Sequence, residues 1–370
     1  MKRRLNILYI VNTIRETSSP LHEHVSPMSV DHNVVVCSYE SIEAELPSGI
    51  TCISGEGNVF KFIRALNNTI SSERHDIIHF HAPYSAVVSL FYGLISRSFK
   101  NKSTVYTVHS SYSGYRMAHL AMLYFVFLNV DKIVHCSNAS FDSFSEKIKG
   151  LFLNKRVAIP NGVNLKFVEA ALEKEDRDYS KQKDEVNQDQ ITKIITIGRL
   201  ITLKNHSLLL QSLAKIKNTN FSLQIIGTGP LLDTLVSELK DLEIESKVIF
   251  TGVIPREEVY RELAESDLFL SASTLEGLPL SVLEALACSC PVILSDIPAH
   301  REVLSQDDCV QIVESNDTSG FVPAIDHFMA LSSEQLQDIR QQCREHVTKN
   351  HSMRVMNEKY LELYKNSLNG

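Results

Sequence analysis

Two trains of short, almost wholly apolar runs limit what this chain can fold into. The first passes through Leu5–Val11, Asn33–Cys37, Asp76–His81, Ser103–His109, Asp131–Ser137 and Arg156–Ile159. The second passes through Thr192–Gly198, Phe221–Gly227, Lys247–Gly252, Asp267–Ala272, Pro291–Ser295 and Cys309–Val313. Each run is rich in β-branched residues, is bounded by polar or Gly/Pro punctuation, and is followed by a longer stretch with helical spacing. Strands covered on both faces need this near-continuous apolar character, and their alternation with helices implies parallel sheets built from crossover units. A chain of 370 residues is long enough for two such sheets, each with its own core.

Between the trains, Ala171–Gln190 is mostly charged or amide residues with almost nothing to bury, and it marks the expected domain junction. The expected organisation is a first α/β domain over 1–170, a charged linker over 171–190 and a second α/β domain over 191–350. A closing helix over 351–370 puts Met353, Met356, Tyr360, Leu363 and Tyr364 on one face and is expected to cross back to the first domain. If the two sheets face each other, the carboxyl ends of their strands line a common cleft, where ligands of open parallel sheets bind.

Composition excludes several classes. With 44% apolar residues, 22% charged residues, 14 Gly and 11 Pro, the chain is neither fibrous nor low in complexity. The net charge of -7 hides an asymmetry: residues 1–170 hold 17 Lys plus Arg against 13 Asp plus Glu, so the first half is at +4 and the remainder at -11. No basic stripe suits nucleic acid, although the first half could approach an anionic surface. No apolar run reaches the roughly 18 residues that span a bilayer, and the start lacks an export cleavage site. Cys37, Cys52, Cys136, Cys288, Cys290, Cys309 and Cys343 form no Cys-x-x-Cys pair and read as reduced structural thiols. A cytoplasmic location is expected, with peripheral contact at the inner face of the cell membrane through the N-terminal domain.

Three segments at strand ends of the second half carry the chemistry. After one strand, Gly198 turns the chain and is followed by Arg199 and Lys204, five residues apart, a planar fork and a mobile point charge suited to a diphosphate. After the next, Gly227-Thr228-Gly229-Pro230 is a glycine turn that lets a ligand near the main chain, or simply a tight connection. The third, Ser271–Ala287, carries Glu276 on a Gly277-Leu278-Pro279 loop and Glu284 on a helix opening near Leu280 and Ser281. Glu276 could accept from sugar hydroxyls and Glu284 from the two hydroxyls of a ribose. A capping box with Ser281 is the structural alternative for Glu284.

In this order the motifs resemble the family 4 retaining glycosyltransferases, and the resemblance runs along nearly the whole chain. It includes Asp76–Pro83, Thr107–Ser110, Ile159–Asn164, Gly198-Arg199-Leu200 with Lys204, Gly227-x-Gly229-Pro230, the Glu-x7-Glu pair and the tyrosine-rich closing helix. It implies the GT-B fold, two Rossmann-like doubly wound parallel-sheet domains facing across a cleft. It also implies transfer of a sugar, with retention, from a nucleoside-diphosphate sugar, with UDP the expected carrier, to a hydroxyl of a glycan that a lipid could carry, in cell-surface polysaccharide synthesis. Arg199 and Lys204 would hold the diphosphate as it leaves, Glu284 the ribose and Glu276 the donor sugar. The main chain of Gly277 to Ser281 would meet the sugar and phosphates, Gly198, Gly227 and Gly229 would lie by the nucleotide, and His109 would face the reacting sugar. No cofactor and no essential metal is implied.

The first loop departs from the family's glycine pair, reading Thr13 to Pro20, so no contacts are carried over there. Cys290 and Pro298-Ala299-His300-Arg301-Glu302 also stand where glycines are usual. His79 and His81 share one strand face; an acceptor-side role and a structural role are both open. Asp176-Arg177-Asp178 matches a metal signature of a different fold but sits in the linker. Met117–Val130, apolar on several faces and preceded by Arg97, Lys100, Lys102 and Arg116, fits either a membrane-facing helix or a buried crossover. A nicotinamide dehydrogenase would need Gly-x-Gly-x-x-Gly after an early strand, which residues 12–20 lack. A nucleotide-sugar epimerase and a non-catalytic two-lobed binding protein remain as rivals.

Overall fold

The computed structural model describes residues 4–14, 25–43, 49–109, 111–112, 117–173, 191–218, 220–303, 309–313 and 317–369. In chain order its elements begin with β1 (Asn6–Val11), α1 (Ser26–Ser29), β2 (Asn33–Ser38), β3 (Thr51–Ser54), α2 (Val59–Ser72), β4 (Ile77–Phe80), α3 (Pro83–Ser96) and β5 (Ser103–Val108). They continue with α4 (Met117–Asn129), β6 (Lys132–His135), α5 (Asn138–Asp142), α6 (Glu146–Phe152), β7 (Arg156–Ala158), α7 (Leu165–Glu173), β8 (Thr192–Ile197), α8 (His206–Leu213) and β9 (Phe221–Ile226). The remainder is α9 (Leu232–Asp241), β10 (Val248–Gly252), α10 (Arg256–Glu265), β11 (Leu268–Ser271), α11 (Leu280–Ala287), β12 (Val292–Ser295), α12 (Pro298–Arg301), β13 (Val310–Val313), α13 (Thr318–Met329), α14 (Ser333–Asn350) and α15 (Met353–Asn369).

The chain divides into two units, Met1–Gly162 with Met353–Gly370, and Val163–Ser352. Unit 1 is a seven-stranded parallel sheet in the order β3-β2-β1-β4-β5-β6-β7. Alternation along β1 shows why its run is apolar throughout. Leu8 and Ile10 enter one core with Phe62, Leu90 and Phe127, while Ile7, Tyr9 and Val11 enter another with α15. Met353, Met356, Tyr360, Leu363 and Tyr364 are the side chains by which α15 joins that second core. Unit 2 is a six-stranded parallel sheet in the order β10-β9-β8-β11-β12-β13. Every strand anticipated from sequence is present, and β3 is added at the edge of unit 1.

The passage between units falls at Gly162 and Val163, ahead of the charged stretch that composition marks as the junction. Helix α7 therefore belongs with unit 2. Phe167 meets the Tyr260 ring edge-on at 5.8 Å, Arg261 donates to the Ala171 carbonyl at 3.4 Å, and Arg344 pairs with Glu169 at 2.6 Å. Most of 171–190, with Asp176-Arg177-Asp178, lies outside the described residues.

Strand order reverses between β1 and β4 in unit 1 and between β8 and β11 in unit 2. In doubly wound sheets the loops leaving such a reversal diverge to opposite faces and leave a crevice at the carboxyl edge. Among the described residues no helix is long and apolar enough to cross a membrane.

Candidate active site

The reversal in unit 2 collects the charged residues. Beyond β8 the chain turns at Gly198, passes Arg199 and enters a 3-10 turn, Thr202–Lys204. Beyond β11 the loop reaches Ser273, Thr274 and Glu276 before α11. Thr274 N–H donates to the Leu203 carbonyl at 2.9 Å, so backbone joins the two loops. Their side chains then meet: Lys204 Nζ lies 2.5 Å from Glu276 Oε1, and Ser273 Oγ donates to the same oxygen at 2.7 Å. The Lys204 stem crosses Gly198, where an added Cβ would come within 3.3 Å of Cδ and Cε. Arg199 is exposed, and among the described residues it pairs with no carboxylate.

A buried relay fixes the Glu276 loop from behind. Ser295 Oγ, at the end of β12, donates to the Ser273 carbonyl at 2.5 Å. His300 Nδ1 lies 2.8 Å from the Ser295 carbonyl and must donate to it. Burial lowers the His300 pKa, with the Ser295 bond and Glu276 opposing and Lys204 adding. Nothing in the sequence marks Ser273, Ser295 or His300 for this role; the stretch around His300 stands out only for the glycines it lacks.

Glu284 is held separately. The α11 helix opens at Leu280 behind Pro279 with no side-chain cap, which places Ser281 inside the first turn, so the capping box is not formed. Leu278 and Pro279 are buried, and Pro279 at the N-cap offers the first-turn N–H groups no side-chain acceptor, an arrangement that receives anions. Glu284 is almost buried and its Oε1 accepts from Arg256 at 2.6 Å and from the Tyr260 hydroxyl at 3.2 Å. Arg256 Nε also donates to Tyr260 at 2.8 Å. Neither residue was singled out from sequence, because both lie on α10, which follows a different strand.

Gly227 and Gly229 admit backbone rather than open space. Gly227 has φ +143°, and a Cβ there would stand 2.0 Å from the Gly198 carbonyl oxygen; at Gly229 it would stand 2.4 Å from that of Leu200. The two turns interlock through Leu200 N–H to the Thr228 carbonyl at 3.0 Å and Leu231 N–H to the Leu200 carbonyl at 3.1 Å. These glycines let one loop lie on the other and so position Arg199 and Lys204.

In unit 1, His81 and His109 leave β4 and β5 side by side, with ring centroids 5.2 Å apart and His81 Nδ1 3.0 Å from His109 Nε2. Burial pushes His109 down to about 4, so it is uncharged near neutrality. His79 corrects the expectation for that strand. It is fully buried, with Nδ1 2.7 Å from the Tyr364 hydroxyl and Nε2 2.7 Å from Thr107 Oγ1, which lies 3.0 Å from the Tyr360 hydroxyl. It therefore faces no acceptor and ties α15 to the sheet.

Comparison with known proteins agrees with this architecture. A family model described as Glycosyltransferase Family 4 matches residues 30–167, and one described as Glycosyl transferases group 1 matches residues 176–346. The chain belongs to the family 4 glycosyltransferases and has their GT-B fold. It is 37% identical over 130 residues to the N-acetylgalactosamine-N,N'-diacetylbacillosaminyl-diphospho-undecaprenol 4-alpha-N-acetylgalactosaminyltransferase of Campylobacter jejuni, covering 35% of each chain. It is 31% identical over 245 residues to the alpha-monoglucosyldiacylglycerol synthase of Streptococcus pneumoniae, covering 62% of this chain and 54% of that protein. These matches thus span about a third to a half of the curated relatives' length. Among solved structures, Anabaena HepE in complex with UDP superposes with a TM-score of 0.75 at 15% identity, over 98% of this chain and 100% of that one.

Proposed function

We propose that this protein transfers a sugar, with retention of configuration, from a UDP-sugar to a hydroxyl of a lipid-carried glycan, in the assembly of a cell-surface polysaccharide. The Lys204–Glu276 pair over the Gly198 turn, at the sheet reversal of unit 2, carries this reading. It gathers a cation and a carboxylate where a diphosphate and its sugar would lie, with Arg199, exposed and paired with no carboxylate among the described residues, as a second cation. The relatives support the substrate classes: one is named for a diphospho-undecaprenol-linked acceptor, another for a diacylglycerol glycolipid, and HepE is crystallised with UDP.

In the reaction, the bond between the sugar C1 and the β-phosphate oxygen breaks, and its electron pair leaves with the diphosphate. The acceptor oxygen bonds to C1 on the same face, and its proton passes to the departing phosphate. Lys204 and Arg199 neutralise the charge that develops on the leaving group, assisted by the N-terminus of α11. Glu276 accepts from donor-sugar hydroxyls, and Glu284, oriented by Arg256 and Tyr260, accepts from the ribose. His109, uncharged near neutrality, and His81 serve unit 1's acceptor edge as hydrogen-bonding groups. Side-chain cations supply the neutralisation, so the reading assigns no step to a metal.

A thermal-shift panel of nucleoside diphosphates, followed by NMR of the product made with the best donor, tests the reading. It expects the largest shift with UDP, an anomeric configuration matching the donor's, and turnover that persists with a chelator. Donor consumption without an acceptor would indicate an epimerase instead, and binding without turnover a receptor.

A further inference from the structure

A cavity of about 590 Å³ lies in unit 2 between the strands β12 and β13 and the helices α13 and α14. Its strand residues are Pro291 to Ile293 and Cys309 to Gln311, at the amino ends of β12 and β13. Ser295, which anchors the Glu276 loop, stands at the carboxyl end of the same β12, about 10 Å from Val292 at 3.3 Å per residue. The cavity is therefore separate from the charged loops, towards the opposite edge of the unit 2 sheet. Its volume falls in the range of about 300–1,000 Å³ usual for small-molecule sites.

The lining excludes several ligands. Among the described residues that form it there is no Lys or Arg, so a phosphate or a nucleotide would meet no counter-charge. Among the described residues no three His, Cys, Asp or Glu side chains gather to hold a metal ion. An alkyl chain would shut a carboxylate and three amides away from water. Asp338 and Gln342 share one face of α14, and Gln342 Nε2 donates to Asp338 Oδ2 at 3.0 Å. That contact aligns the pair and leaves Gln342 Oε1 buried with no donor among the described residues. Gln335 Oε1 accepts from the Ser332 N–H at 2.9 Å, so its Nε2 is the group left to donate. Gln311 lines the cavity from β13 and His327 from α13, beside the apolar Val310, Phe328, Leu331 and Ile339. A hydroxyl both donates and accepts, so a ring bearing several of them matches this mixture of amides, imidazole and carboxylate, while its C–H face matches the apolar side chains.

We propose that this cavity is a carbohydrate site distinct from the donor loops, taking a neutral mono- or disaccharide at the amino ends of β12 and β13. The proposal assumes nothing about the transfer reaction, so either can fail alone. Saturation-transfer NMR on the full chain tests it, with and without UDP. The probes are the methyl glycosides of glucose, galactose, N-acetylglucosamine and N-acetylgalactosamine, together with maltose, and glucose 6-phosphate as the anionic counterpart. At least one neutral probe should receive saturation, with the same affinity in the presence and absence of UDP, and glucose 6-phosphate should bind more weakly than glucose. Asp338→Ala should weaken binding about tenfold and Gln342→Ala about fivefold, whereas Glu276→Ala should leave it unchanged. Both cavity variants should melt like the parent, which checks their fold. Saturation of none of the neutral probes, or binding that survives in both cavity variants, overturns the proposal. Loss of binding in Glu276→Ala alone would place the sugar at the donor loops, and tighter binding of glucose 6-phosphate would make the cavity an anion site; each of these overturns it as well.

Discussion

Lys204 Nζ and Glu276 Oε1 meet at 2.5 Å across 72 residues of sequence. On the proposed reading, a bound diphosphate would take Nζ from the carboxylate and so free Glu276 to accept from the donor sugar, and the two residues should respond differently to the nucleotide and to the complete donor. Glu276→Gln is expected to bind UDP within a few-fold of the parent while losing on the order of a hundredfold in kcat. Calorimetry with UDP beside steady-state rates checks this. Equal losses in both would mean that Glu276 serves the nucleotide alone.

Gly227→Ala should destabilise the protein with no ligand present, because its Cβ would collide with the Gly198 carbonyl and its φ of +143° disfavours a side chain. A loss on the order of 3 kcal/mol is expected, read from denaturant unfolding. If Gly227 served only to admit a ligand, stability without ligand would not change.

Arg256→Met should leave the Glu284 carboxylate without its cation and the Tyr260 hydroxyl without a donor. Removing one partner from this largely buried cluster costs about 1–3 kcal/mol. Weaker UDP binding should accompany the lower Tm, since Glu284 would no longer be oriented. Unchanged UDP affinity would detach Arg256 from the ribose site.

Three histidines set an acid limit on stability. Burial pushes His109 down to about 4, His206 to about 4 with Lys204 adding, and His135 to about 3 with Arg156 adding. Unfolded imidazoles protonate near 6.5, so below that pH the unfolded chain binds more protons. The contribution is full above 6.5 and is lost as pH falls toward 4 and 3, at about 1.4 kcal/mol per pH unit for each histidine. Denaturant midpoints at a series of pH values check this; a flat profile from neutrality to pH 5 would contradict it.

What the sequence made legible follows from what a single chain encodes locally. Both-face burial writes itself into runs such as Ile7–Val11 and Val292–Ser295, so strands and their alternation with helices could be read directly. Strand β3 escaped because it is a four-residue edge element, Thr-Cys-Ile-Ser, none of it fully buried. Lys204 and Glu276 were each marked for a ligand, but their contact with one another was not legible, and neither were the contacts of Arg256 with Glu284 and of Ser295 with Ser273, because each joins separate elements. Glycine spacing was visible at 227 and 229, yet whether the space admits ligand or backbone is a tertiary fact.

Steady-state turnover of Arg199→Ala and Lys204→Ala with a UDP-sugar, in protein whose circular dichroism and melting match the parent, tests the central claim most directly. A charge-neutralising role predicts that each substitution lowers kcat by about 10²- to 10³-fold. Parental turnover in both variants would contradict it.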